Sequence, residues 1–131
     1  MSNIPEDLHY TRDHEWARVD SDGNVIIGIT DYAQSSLGEI VYVELPEVGD
    51  SVTREEAFGV VESTKSVSDL LAPITGNVTE TNGIPVENPE VCNEDPYEDG
   101  WMLKIEPIDP GELDQLMGAD EYEEYVSGLS S

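Results

Sequence analysis

Residues 14–19, HEWARV, alternate polar and apolar positions, and residues 25–30, VIIGIT, form an apolar, β-branched run. DSDGN (20–24) between them has turn composition, so the pair predicts a β-hairpin. DYAQSSLG (31–38) reads as a short helix, with Asp31 as its N-cap and Gly38 just past its end. EIVYVEL (39–45) alternates again, with either Ile40 and Tyr42 or Val41 and Val43 turned inward, until PEVGD (46–50) turns the chain. Another strand lies within 51–64 and ends at Lys65, SVSDLLAP (66–73) follows, and Gly76 marks a bend or turn in ITGNVTETN (74–82). Residues 83–100 are rich in Pro, Asn and Gly, which predicts loop with a helical turn, and WMLKIEP (101–107) is a last strand.

The period then changes. Leu113, Leu116, Met117, Tyr122, Tyr125, Val126 and Leu129 recur at three- and four-residue spacing. Asp109, before Pro110-Gly111, and Asp120 are cap residues of one broken helix or two short ones. Many short strands followed by a terminal helix predict a mainly β protein, a β-sandwich or flattened barrel. No linker or repeat divides the chain. Residues 1–131 therefore read as a single domain, with a core over about 10–107 and a helical segment over about 109–129.

Charge changes this picture more than composition does. Thirty acidic residues face five lysines and arginines, for a formal net charge of −25. Such a surface repels nucleic acid and anionic membranes, because each approach to a phosphate adds like-charge work. It suits a protein that stays soluble in concentrated salt, where the Debye length shrinks to about 3 Å at 1 M. The regular apolar runs speak against disorder, so the expectation is a folded, halophilic protein. Cys92 is the only cysteine, which leaves no internal disulfide and assigns it the role of a small buried hydrophobe. The N-terminus, MSNIPEDLHY, has neither a basic region nor an apolar stretch behind it, so a soluble, cytoplasmic protein is expected.

Chemistry-bearing motifs are few. Gly59, Thr64, Lys65 and Ser66 nearly spell a phosphate-binding loop, but Thr64 stands where a glycine must let the backbone wrap the phosphate. Residues 66–73 are also β-branched and end in proline, so no helix N-terminus faces the anion. His9 and His14 are five apart, which does not place two metal ligands on one helical face, and no serine is marked as a nucleophile. Lys65 has two readings. One is an ordinary exposed lysine on a turn. The other rests on the apolar strands FGVV and LLAP, which place it near a hairpin tip among small polar neighbours, where an amine suits covalent attachment of biotin or lipoate.

Four blocks in order carry a family resemblance: DHEW (13–16), VIIGITDYAQSSLGEIVYVELPEVGD (25–50), FGVVESTKSVSDLLAPITGNVTETN (58–82) and NEDPYEDGWMLKI (93–105). The chain resembles the H proteins of the glycine cleavage system, from YTRDHEW (10–16) to the C-terminal helix. That resemblance implies a lipoyl/biotinyl-type flattened β-barrel of two antiparallel sheets with a short helix and a C-terminal helix. It implies lipoate on Lys65, and a carrier subunit rather than an enzyme. In that family the dithiolane accepts the aminomethyl group of glycine at the decarboxylase, the P protein. The arm delivers it to the tetrahydrofolate-dependent aminomethyltransferase, the T protein, and the dihydrolipoyl dehydrogenase, the L protein, reoxidises the arm. A lipoate ligase or lipoyl transferase is the implied modifying enzyme. The resemblance also points to Glu15 and Asp69 as acids of a cleft that contact the arm and its cargo amine.

Local sequence separates related carriers. Biotin carriers flank the lysine with methionines and 2-oxo-acid lipoyl domains place an aspartate before it, whereas Thr64 and Ser66 stand here. An H-like relay that supplies lipoate or a redox arm to another pathway would share every block, and neighbouring P and T protein genes would distinguish the two. Cys92, Ser66 and Val67 depart conservatively from the family pattern; the acidic surface is the larger departure. It generates a prediction. Self-repulsion at −25 should lower the thermal midpoint in dilute buffer and raise it steeply as KCl is added. A midpoint unchanged between dilute buffer and molar KCl would refute the halophilic reading.

Overall fold

Asp20 closes the first hairpin: its Oδ1 accepts the Asp22 and Asn24 amides at 2.8 and 3.0 Å, and Gly23 takes the positive φ of 86° at the turn. The structure, a computed structural model, describes residues 4–130. Strands β2 (Glu15–Val19) and β3 (Val25–Ile29) pair antiparallel across that turn, and β1 (His9–Tyr10) adds an edge.

Helix α1 (Asp31–Leu37) is capped by Thr30 and not by Asp31. Thr30 leaves β3 with an extended backbone, and its Oγ1 accepts the Ala33 amide at 3.2 Å. Asp31 is therefore in the first turn, where its carboxylate accepts Gln34 Nε2 at 2.6 Å. Strand β4 (Ile40–Glu44) follows neither simple alternation: Ile40 and Val43 are buried while Val41 and Tyr42 are exposed. A bulge between Ile40 and Tyr42, where β4 pairs with β6 (Ala57–Ser63), adds one residue and exchanges the faces.

Strands β5 (Ser51–Val52), β7 (Val67–Leu71), β8 (Gly76–Thr81) and β9 (Leu103–Pro107) complete the sheets. Gly76 opens β8 and forms no turn. A Cβ there would lie 2.4 Å from the Glu106 carbonyl oxygen, so the glycine serves the close approach of β9. Residues 83–100 hold two single-turn helices, α2 (Ile84–Glu87) and α3 (Val91–Glu94). The C-terminal pattern resolves into two helices: a 3-10 helix (Pro110–Gln115), with Asp109 accepting the Gly111 amide at 3.0 Å, and α4 (Ala119–Ser130). Asp120 lies within the first turn of α4, where its charge faces the positive helix end, and is not a cap.

One sheet has six strands in the order β1-β2-β3-β9-β8-β5, the other three in the order β4-β6-β7, and every strand ladder is antiparallel. The mainly β, two-sheet architecture with short helices and a C-terminal helix is thus the one expected. Ala17, Ile27 and Ile105 of the larger sheet and Val43, Val61 and Leu70 of the smaller share one buried cluster, which also includes Cys92. Burial pushes the Cys92 thiol up to about 12, so it stays a neutral hydrophobe at ordinary pH. A second cluster packs α4 on β1 and β2, with the Tyr10 and Tyr122 rings stacked at 4.6 Å. Gly76→Ala forces β8 and β9 apart and should cost about 1–3 kcal/mol, the usual range for overpacking. A lower denaturant midpoint at unchanged m-value is the expected result; a wild-type midpoint would show that the strands separate freely.

Candidate functional site

The β6–β7 hairpin pairs from Ala57 opposite Leu71 to Glu62 opposite Val67, which leaves Ser63–Thr64–Lys65–Ser66 to turn the chain. Serine chemistry closes that turn. The Ser63 amide donates to the Ser66 carbonyl at 2.8 Å, and Ser63 Oγ accepts the Ser66 and Lys65 amides at 3.1 and 3.3 Å. The Thr64 amide donates to the Glu39 carbonyl at 3.0 Å, tying the tip to the segment between α1 and β4. The four amides of the turn are thus satisfied without the Lys65 side chain. That side chain is exposed, and its ammonium makes no ion pair among the described residues. Its stem crosses Gly38, where a Cβ would come within 3.3 Å of Lys65 Cε and where φ is +87°, a conformation that favours glycine.

Lys104 is held differently. It stands in β9 with Asp20 Oδ2 at 3.2 Å and Glu80 Oε1 at 3.8 Å, and the hydrogen bond to Asp20 raises its pKa. Beside the tip, Tyr42, Glu62 and Val67 are cross-strand partners on one outer face, and Tyr42 and Val67 are exposed.

Glu15 approaches from β2. It is 3 % exposed, accepts Thr11 Oγ1 at 2.9 Å, and accepts the Leu71 amide of β7 at 3.4 Å. Burial pushes its carboxyl up to about 8, against the lowering effect of those two hydrogen bonds, so the acid is largely neutral at pH 7. Asp69 is exposed on β7, paired with Val60, two residues before Leu71. The fold therefore brings Glu15 to the strand that carries Asp69. Next to Thr11 a cleft of about 300 Å³ is lined by Arg12, Arg54, Ala72, Pro73 and Met117 among others. His14 serves structure: its Nδ1 lies 2.8 Å from Tyr122 Oη, its ring packs on Tyr32, and burial lowers its pKa.

Sequence reasoning missed Thr11 and Glu39, and read Gly38 only as the residue past the helix end. Thr11 had a signal, since its hydroxyl accepts the Asp13 and Glu15 amides in a local turn available to any threonine before DHE. The contacts of Gly38 and Glu39 with the tip had none, because their partners belong to a hairpin far along the chain.

A two-sheet barrel that presents a solvated lysine on a tight hairpin defines a carrier domain, a class in which the protein supplies a mount for a tethered group. The glycine cleavage H-protein family model matches residues 8–128. The glycine cleavage system H protein of Anaeromyxobacter sp. (strain K) is 58% identical over 123 residues, covering 94% of this chain and 95% of that one. That of Halorhodospira halophila is 54% identical over 127 residues, covering 97% and 98%. The crystal structure of a glycine cleavage system H protein from Mycobacterium marinum superposes with a TM-score of 0.86 at 42% identity, over 98% of this chain and 100% of that one. The chain belongs to the glycine cleavage H-protein family, and it is a lipoyl-type carrier subunit, not an enzyme.

Glu15 gives this site a pH signature. Its folded pKa, about 8, lies above its ordinary 4.5, so the native state keeps a proton that the unfolded chain has released. The stabilising contribution is full below pH 4.5 and falls as pH rises through about 8. Glu15→Gln, which fixes the neutral form, should be more stable than wild type by roughly 2–4 kcal/mol at pH 9 and equal to it near pH 4. Denaturant titrations at both pH values check this; a difference independent of pH would contradict a buried, protonated Glu15.

Proposed function

We propose that Lys65 carries lipoate as an amide on Nζ and that this chain, acting as one domain over residues 1–131, shuttles the aminomethyl group of glycine. The observation that supports this reading is the exposed Lys65 amine, free of ion pairs among the described residues, on a hairpin whose two strands are anchored by buried Val61 and Leu70. The group fits the site: acylation removes one positive charge, and here no carboxylate partner among the described residues loses its counter-charge. When bound, lipoate would supply a disulfide that is reduced as one sulfur accepts the aminomethyl carbon, both electrons arriving with that carbon, and then a dithiol from which the L protein withdraws them. The partners are the P, T and L proteins and, for attachment, a lipoate ligase or lipoyl transferase, all in the cytoplasm. Among the described residues no helix is long and apolar enough to cross a membrane.

This chain's own residues position and shield. Lys65 gives reach from a fixed root, which raises the effective concentration of the cargo at each partner. Glu15, held neutral by burial, passes its proton to the cargo amine, and the carboxylate left behind is favoured by the ammonium so formed. Asp69 adds a second negative charge on the strand between Glu15 and the arm's root. Both acids hold the cargo amine protonated, which ties up the lone pair that would otherwise expel sulfur.

One experiment tests the attachment and the acids together. After co-expression with a lipoate ligase, peptide mass spectrometry should find lipoyl on Lys65 and none on Lys104. Lipoyl on Lys104 with Lys65 bare would sink the assignment. Loaded wild type, Glu15→Ala and Asp69→Asn are then compared at one pH in high salt for release of formaldehyde and ammonia. The variants should decay faster, by about tenfold for each pKa unit by which the acid raises the amine. Equal rates in all three proteins would remove both acids from the role.

A further inference from the structure

The NEDPY stretch (93–97) lines neither the cleft nor the hairpin, yet its first residue is wired to both neighbours of Glu39. Asn93 Oδ1 accepts the Ile40 amide at 2.8 Å, and Asn93 Nδ2 donates to the Gly38 carbonyl at 2.8 Å and to Gln34 Oε1 at 2.9 Å. Both Nδ2 hydrogens and one Oδ1 lone pair are thus used. This pattern fixes the amide's orientation, since a flip would set the NH2 group against the Ile40 N–H. Gly38 and Ile40 flank Glu39, whose carbonyl accepts the Thr64 amide at 3.0 Å, one residue before Lys65. Tyr97 of the same stretch holds the other end of α1, its Oη accepting the Asp31 amide at 3.0 Å.

We infer that Asn93 is a positioning residue for the Lys65 tip, acting through the Glu39 carbonyl on the Thr64 amide. This rests on the reading that Lys65 is the acylated residue. The side chain fixes the peptide groups on either side of the carbonyl that ties the tip to the segment between α1 and β4. The clamp also adjoins the bulge between Ile40 and Tyr42. Without it, the 38–40 segment is free to rotate, the Glu39 carbonyl turns from the tip, and the β4–β6 register at the bulge loosens. An enzyme that acylates Lys65 must align its acyl carbon with Nζ, and displacements near 1 Å at such a step cost up to about a hundredfold in rate. The chemistry of the amine itself is untouched, because Asn93 contacts no atom of Lys65 in these bonds.

The test has a readout that stability alone does not move. In the wild-type protein the Thr64 amide should exchange with deuterium at least about tenfold more slowly than in an open loop, as a hydrogen-bonded amide does. Open-loop exchange there would overturn the proposal without any variant. Asn93→Ala removes the clamp, and Asn93→Asp keeps the acceptor for Ile40 while replacing both donors. In each folded variant, Thr64 protection should fall while amides of the β2–β3 ladder keep theirs. The kcat/KM for enzymatic lipoylation of Lys65 should fall roughly ten- to a hundredfold. Acetylation of Lys65 by a small activated ester should proceed at the wild-type rate. Wild-type lipoylation kinetics in either folded variant would overturn the inference. If wild-type Lys65 accepts no lipoate, the functional reading fails instead, and Thr64 exchange still decides whether the clamp exists.

Discussion

The packing of the three-stranded sheet onto the six-stranded one sets the address of Lys65. Val43, Val61 and Leu70 are buried on the inner face of the smaller sheet, and each such side chain contributes roughly 1.5–3 kcal/mol by leaving water. Alternation does the rest. With Val61 inward, Glu62 must face outward, and four residues past Val61 the chain has left the core at Lys65. The tip is therefore exposed yet directed, because both strands beneath it are anchored. The bulge in β4 belongs to the same logic: it keeps Ile40 and Val43 in the core while Tyr42 joins the outer face beside the hairpin.

Charge explains why this lysine, rather than Lys104, suits modification. In a chain of net charge −25, a cation has carboxylates within reach almost everywhere. Lys104 sits between Asp20 and Glu80, Arg54 lies 3.8 Å from Glu55, and Arg18 lies 4.0 Å from Glu98. These surface pairs contribute little to stability. Their meaning is that acylating Lys104 would return two carboxylates to unscreened repulsion. Lys65 has no such partner among the described residues, so conversion of its ammonium to an amide disturbs no existing pair.

How far the sequence could be read depends on the range of the interactions involved. The 14–30 hairpin was legible because its alternation and its Asp20 turn are local, and the hairpin tip at Lys65 was legible because apolar strands flank it. The Thr30 cap was missed since Asp31 is an equally good capping residue by type, and only the backbone extension at Thr30 decides between them. Ile40 with Val43 could not be read, because a bulge breaks the period on which the reading relied. Gly76 was misread as a turn because close strand approach and chain reversal both demand glycine. The two acids to which the resemblance pointed show the same limit. Glu15 was visible as a residue, but its burial and raised pKa arise against Leu71, a contact across more than fifty positions that no local pattern encodes.

A carrier must hold its cargo and also surrender it, which limits how tightly the acids proposed for this role can grip. A group tethered by a short arm has an effective concentration in the millimolar range. A local affinity of about −4 kcal/mol, equivalent to a millimolar Kd, then keeps the arm docked about half the time. Each further 1.4 kcal/mol would cut the undocked fraction about tenfold and withhold the cargo from the next partner. A permanently ionised, buried carboxylate would risk that excess. A carboxyl that burial holds neutral, as at Glu15, would lose part of any attraction to a cation to the work of releasing its proton. The same burial that raises its pKa would therefore moderate the grip proposed for Glu15 on a cargo ammonium.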